Sequence, residues 1–191
     1  MKILFLTDNF PPEMNAPATR TYEHCKEWVK LGAEVTVITG APNFPKGKVY
    51  EGYKNTLYKK EIINGIQVIR VWTYIAENKG MIKRSLDYLS FYFSALIVGI
   101  FQKCDVIIGT TPQFFTALAA KRLSKIKKKP WIMEVRDIWP ESIKAVEAVK
   151  DGKIIRYLEK KEKQCYTSAA KIICVTQGIY DGLHKRGIPR E

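Results

Sequence analysis

The sequence has little of what metal and redox sites are built from. Its 191 residues include four cysteines and two histidines. Cys25, Cys104, Cys165 and Cys174 form no CxxC pair, and His24 and His184 lie near opposite ends of the chain. Metal-ligand spacing is absent, so no metal is expected. Cys25 and Cys174 fall on apolar faces of predicted elements, which points to reduced core thiols in a cytosolic protein. Long apolar runs are also missing. The longest, residues 91–101, is broken by Ser94 and Gly99 and is well short of the ~20 residues a spanning helix needs. Met1-Lys2 runs directly into a strand, so no cleaved leader is expected. No internal repeat or low-complexity stretch appears. Between Thr7 and Arg20 there is no GxGxxG, and Thr39-Gly40 ends the second strand where a ribose-binding acid would stand. Both gaps weigh against a dinucleotide-dependent oxidoreductase, an alternative that the strand–loop–helix start otherwise permits. Acidic side chains are the last scarcity: 19 Asp+Glu stand against 32 Lys+Arg, a net charge of +13. That balance favours anionic partners, whether phosphate ligands, nucleic acid or an acidic membrane face. The lysines are scattered over several helix ends without an aromatic-basic groove, so nucleic acid is not expected.

What is present is an alternation of strands and helices. Ile3-Leu4-Phe5-Leu6-Thr7 is a buried strand, followed by a proline-rich loop and a helix from about Ala16 to Leu31, stopped by Gly32. Asn15 can cap this helix and Pro17 fits its first turn. Residues 34–39 form a second strand, parallel to the first by the βαβ rule. A long loop over 40–55 follows, of the length that tends to be functional or mobile. Residues 58–63 and 66–72 flank Asn64-Gly65, the signature of a type I′ hairpin. Strands over 105–109, 131–135 and 171–175 alternate with helices over 113–125, 152–168 and 177–185. The expected fold is α/β: a doubly wound, mostly parallel Rossmann-like sheet with helices on both faces, in one domain. The helix candidate from Met81 to Lys103 admits two readings. Its basic first turns (Lys83, Arg84) and nearly all-apolar second half suit burial against the sheet, or an exposed face lying on an anionic membrane.

In such a sheet the ligand crevice lies beyond the C-terminal strand ends. Those ends carry Thr7-Asp8-Asn9, Thr39-Gly40, Gly109-Thr110-Thr111, Arg136-Asp137 and Thr176-Gln177. The first loop and the helix N-terminus behind it offer unpaired N–H groups to a phosphate. Arg20, in the first helical turn, opposes the helix dipole. It is either a surface Arg paired with Glu13 or Glu23, or an anion contact at the mouth of the site. Asp137 either caps or pairs with Arg136, or works on a substrate.

The loop Asn9-Phe10-Pro11-Pro12-Glu13 followed by Ala18-Thr19-Arg20, the passage Lys30-Leu31-Gly32 into residues 34–39, the segment Arg136-Asp137-Ile138-Trp139-Pro140-Glu141-Ser142, and the strand 171–176 occur in an order that is familiar. Together they resemble the N-terminal half of GT-B glycosyltransferases of family 4. Within it they are most similar to bacterial O-antigen and capsule enzymes of the fucosamine-transferase kind. The resemblance implies an acceptor-side domain that works with a donor-binding domain absent from residues 1–191, and no turnover by this chain alone. It implies a nucleotide-sugar donor, a glycan or lipid-linked acceptor, no cofactor or metal, retention of configuration, and work in the cytoplasm or at the inner membrane face. Asp137 matches the family position near the reacting sugar. Asn15 and Ala16 stand where the family often has Gly-Gly, and with Arg20, Thr110, Thr111, Arg136 and Glu141 they make up the implied substrate-binding set.

Overall fold

The computed structural model describes residues 1–75, 81–138 and 152–188. Seven strands form one sheet: β1 (Lys2–Leu6), β2 (Glu34–Thr39), β3 (Tyr58–Ile63), β4 (Ile66–Val71), β5 (Val106–Thr110), β6 (Trp131–Val135) and β7 (Lys171–Cys174). Their order is β3-β4-β2-β1-β5-β6-β7, and every pairing is parallel except the β3–β4 hairpin at one edge. Five helices are described: α1 (Ala16–Lys30), α2 (Met81–Phe101), α3 (Phe114–Lys127), α4 (Lys153–Ser168) and α5 (Gln177–Lys185). This is the doubly wound α/β fold that the alternating pattern predicts.

The near-continuous apolar strands follow from burial on both faces. Leu4, Leu6, Ile38, Ile69 and Ile107 pack with Phe91 and Ala95 of α2 and with Ala117, Ala120 and Leu123 of α3. Ile3, Phe5, Val35, Val37 and Val68 face the other way, onto Cys25, Tyr22, Trp28 and Val29 of α1. Local chemistry sets the boundaries. Asn15 Oδ1 accepts the Ala18 N–H at 2.8 Å, capping α1. Asn64 (φ 48°) and Gly65 (φ 81°) both take the left-handed conformation that the tight hairpin requires. Lys128, also left-handed at φ 52°, closes α3.

The N-terminus of α3 meets the strand ends because α3 lies hard against β5. A Cβ at Gly109 would come 2.5 Å from the Ala120 Cβ and 3.3 Å from the Ala117 Cα. Gly109→Ala therefore forces α3 away from the sheet. It should destabilise the fold by about 1–3 kcal/mol, read as a lower urea midpoint at unchanged slope.

Candidate functional site

The C-terminal strand edge is built from three loops and the start of α2. On one side, β1 runs into Thr7, whose hydroxyl donates to the Asn9 carbonyl at 3.0 Å. Asn15 Nδ2 donates to Asn9 Oδ1 at 2.6 Å, so the helix cap also fixes the loop. Glu13 is buried, and its carboxylate accepts N–H bonds from Phe10 (3.3 Å), Asn43 (2.8 Å) and Phe44 (2.9 Å). Burial pushes the Glu13 carboxyl up, and those three N–H groups hold it back. Arg70, only 2% exposed, completes the clamp. It pairs with Glu61 at 2.6 Å and donates to the Gly40 and Pro11 carbonyls at 3.1 and 2.5 Å. The long 40–55 loop is thus tied to the first loop through two buried charges.

On the other side, Thr110 and Thr111 are buried and engaged. The Thr110 hydroxyl donates to the Thr111 carbonyl, and Thr111 Oγ1 accepts the N–H groups of Arg136 (2.7 Å) and Asp137 (3.3 Å). Those bonds pin the end of β6 and leave the Asp137 side chain exposed. Asn15 is part-buried by its capping work and Ala16 is exposed at the first helical position. Glu141 lies outside the described residues, as do Trp139, Pro140 and Ser142.

Arg20 pairs neither with Glu13 nor with Glu23, the partners that proximity in sequence suggests. Glu13 is taken by backbone N–H groups, and Glu23 pairs with Lys26 at 2.6 Å. Arg20 Nε instead reaches Glu134 Oε1 at 2.8 Å, 114 residues away. A buried carboxylate needs a cation more than the first helical turn is harmed by one. The pair brings the first loop and the β6 end to one place, with Arg136 and Asp8 in electrostatic contact between them.

Two buried polar atoms at this place have no protein partner: Glu134 Oε2, an acceptor, and Arg136 Nη1, a donor. Such orphans are rare in folded proteins and call for water or a ligand. A carboxylate oxygen and a guanidinium nitrogen together suit a hydroxyl, which both donates and accepts.

Sequence reasoning passed over Glu134 and Asp87, and named Asp8 only as one of the strand-end residues. Glu134 had one signal, as the charge inside an otherwise apolar strand. Asp87 has none, because its approach to Asp8 depends on how α2 packs on the sheet. Burial pushes the half-buried Asp8 up to about 6, with Glu13 adding to the rise and Arg136 opposing it. Burial and then Asp8 push Asp87 up to about 7, against Arg84. Among the described residues no cluster of three or more His, Cys, Asp or Glu could hold a metal.

Against this geometry the comparisons are consistent. The model of Glycosyltransferase Family 4 matches residues 17–191. The chain belongs to glycosyltransferase family 4. Among curated proteins it is similar to WcaI of Escherichia coli (strain K12), named as a colanic acid biosynthesis glycosyl transferase. The two are 25% identical over 197 residues, covering 100% of this chain and 48% of that one. Among solved structures it is similar to sucrose-phosphate synthase from Thermosynechococcus elongatus, with TM-score 0.66, 10% identity, and coverage of 100% of this chain and 46% of that one. At that identity the likeness shows the shared fold alone. The chain spans about half the length of the relatives it matches. Family membership leaves the oxidoreductase and nucleic-acid alternatives without support.

Two predictions follow from the site. Arg20→Ala removes the hydrogen-bonded cation from the buried Glu134 and leaves it only the electrostatic attraction of Arg136. It should cost about 2–3 kcal/mol, seen in urea denaturation, while Lys26→Ala on the same helix costs little. The second concerns pH. A carboxyl whose folded pKa exceeds its unfolded value binds more protons when folded, so stability falls as pH rises between the two values. For Asp8 and Asp87 that window runs from about 4 to 6 and from about 4 to 7. Between pH 4 and pH 7 the wild type should lose more stability than Asp8→Asn or Asp87→Asn, in matched denaturation series.

Proposed function

We propose that this domain is the acceptor side of a sugar transferase, moving a glycosyl group from a nucleotide-sugar to a glycan or lipid-linked acceptor. The observation that carries the reading is the convergence of Asp8, Arg20, Glu134, Arg136 and Asp137 at the C-terminal strand edge, with an unmatched donor and acceptor among them. The family and the relative in colanic acid biosynthesis support a cell-surface polysaccharide as the acceptor's class.

In the reaction the bond from the anomeric carbon to the departing phosphate oxygen breaks, and a bond from that carbon to the acceptor oxygen forms. Positive charge builds on the sugar and negative charge on the leaving diphosphate. Catalysis then rests on position and fixed charge. Glu134 and Arg136 offer their unmatched oxygen and nitrogen to an acceptor hydroxyl at the base of the crevice. Asp137 stands near the reacting sugar, where its negative charge faces the developing cation. The acceptor proton passes to the departing phosphate oxygen, and the new bond keeps the donor's anomeric configuration. The N-terminal end of α1 contributes its positive dipole toward the diphosphate, although its N–H groups are less free than the sequence suggests: Asn15 takes those of Ala18 and Thr19, and Pro17 has none. The remaining donor contacts belong to a second domain of the kind that the longer relatives have room for.

The split site is tested by titrating this 191-residue chain with nucleotide-diphosphate sugars in a calorimeter. No micromolar binding is expected, and a micromolar Kd would overturn the arrangement. In the protein at the length of its relatives, Asp137→Asn should lower kcat by roughly a hundredfold or more with the donor KM little changed. Wild-type kcat in that variant would remove Asp137 from the mechanism.

A further inference from the structure

Beyond β4 the chain keeps the two-residue period of a strand. Val71 and Thr73 are buried, whereas Trp72 and Tyr74 are exposed at 39% and 37%. The two aromatic side chains therefore share one side and Thr73 takes the other. Three hydrogen bonds hold this stretch. Asn55 Oδ1 accepts the Thr73 N–H at 3.2 Å, Asn55 Nδ2 donates to the Thr73 carbonyl at 2.7 Å, and Ser90 Oγ of α2 accepts the Tyr74 N–H at 2.7 Å. The Thr73 side chain packs on Gly40, where a Cβ would stand 3.5 Å from it and 4.0 Å from the Asp8 carbonyl oxygen. The backbone that carries the two rings is thus fixed to elements that frame the crevice.

The rings themselves are left uncovered. Among the described residues no ring or cation lies on Trp72 or Tyr74. Tyr53, in the neighbouring loop, shows the contrast: the Arg70 guanidinium stands 4.9 Å and the Lys59 ammonium 5.0 Å from its centre. The Trp72 indole N–H donates to no described group. Aromatic faces held open on a fixed backbone are costly in water and need little ordering to bind. Each ring has an apolar face and a polar edge, and a sugar ring matches both: its C–H face lies on the aromatic face and its hydroxyls meet the indole N–H and the phenol. An apolar protein partner would use Leu57 as readily. That residue is 81% exposed and stands opposite Trp72 when the β3–β4 register is continued by one residue.

We infer that Trp72 and Tyr74 form a stacking platform for a sugar ring of the acceptor, at the end away from the reacting hydroxyl. Val68 and Ile132 both pack toward α1. Counting on from them in twos puts Trp72 and Tyr74 on the same side of the sheet as Glu134 and Arg136. In sheet order β4 lies four strand spacings from β6, roughly 19 Å. An acceptor that touches both ends of the strand edge is therefore an oligosaccharide, and a single sugar cannot reach. The inference rests on the acceptor-side reading above and names the acceptor's class within it.

The test is a titration of the isotope-labelled chain with neutral sugars, followed by NMR and without donor. The probes are β-linked tetrasaccharides of glucose, of galactose and of N-acetylglucosamine, and the three monosaccharides. The indole N–H signal missing from Trp72→Phe identifies Trp72. That signal should shift with at least one tetrasaccharide, and the matching monosaccharide should bind roughly tenfold more weakly or worse. Trp72→Leu and Tyr74→Leu, which keep apolar bulk without a ring, should each weaken binding roughly threefold or more, whereas Trp72→Phe should keep it within about twofold. Leu57→Ala should change it by less than about twofold. Circular dichroism confirms that each variant is folded. The inference is overturned if no tetrasaccharide moves the Trp72 signal, if the monosaccharide binds as well, or if Trp72→Leu binds like the wild type. It is overturned too if Leu57→Ala weakens binding as much as Trp72→Leu, which marks an apolar patch without preference for rings. Because binding is read without turnover, its failure is separate from that of the transfer reading. Wild-type kcat in Asp137→Asn removes the chemistry assigned to Asp137 and leaves the platform standing, and a silent Trp72 signal does the reverse.

Discussion

The ion pair between Arg20 and Glu134 is the constraint on which the site depends. Glu134 is buried at the end of β6, and a carboxylate taken out of water is tolerable only with a cation fixed beside it. Arg20 is available only because Asn15 starts α1 where it does, one turn earlier. The pair therefore links the capping of α1 to the position of Arg136 and Asp137, across the intervening strand β5. It leaves half of the carboxylate unmatched, and the nearby guanidinium is also incompletely used. A fold that minimised its own energy would close both gaps. Buried polar atoms without a protein partner are rare in folded proteins, and these two belong to residues that meet electrostatically at the strand edge.

Charge organises the loops around that pair in a consistent manner. Glu13 gathers three backbone N–H groups from two loops, and Arg70 gathers two carbonyls and a carboxylate. Each replaces water for backbone groups that a loop cannot pair within itself. The two loops on the α1 side of the crevice consequently stand on buried charges, whereas the β5 and β6 ends stand on threonine hydroxyls.

Much of this was legible in the sequence. Parallel strands buried on both faces read as short apolar runs, and their boundaries carry chemistry that acts within a few residues: Asn15 as cap, Asn64-Gly65 as hairpin, the lysine run and Pro130 after α3. The crevice followed from topology, since the C-terminal ends of parallel strands share one edge whatever their side chains. Interactions that span the chain were not legible. Arg20 had two plausible partners by proximity, Glu13 and Glu23, and took neither, because they were satisfied by backbone N–H groups and by Lys26. Arg70, in the second arm of the hairpin, is among the most buried side chains, because the loops at the strand ends fold over it. Burial of a charge is decided by what covers it, and the cover comes from elsewhere in the sequence.

The same reasoning explains why α2 resisted a single reading. A helix that is apolar nearly all round is buried all round only if the molecule supplies partners on every side. Here α3 and the sheet cover one side, held close by Gly99, where a Cβ would stand 2.6 Å from the Leu123 side chain. The outer side faces solvent along its whole length, from Leu86 to Phe101. Hydropathy sums over the circumference and reports the total, whereas packing divides it. A residual apolar stripe is costly in water at about 25 cal/mol per Å², and polar substitutions on it would leave the inner face intact.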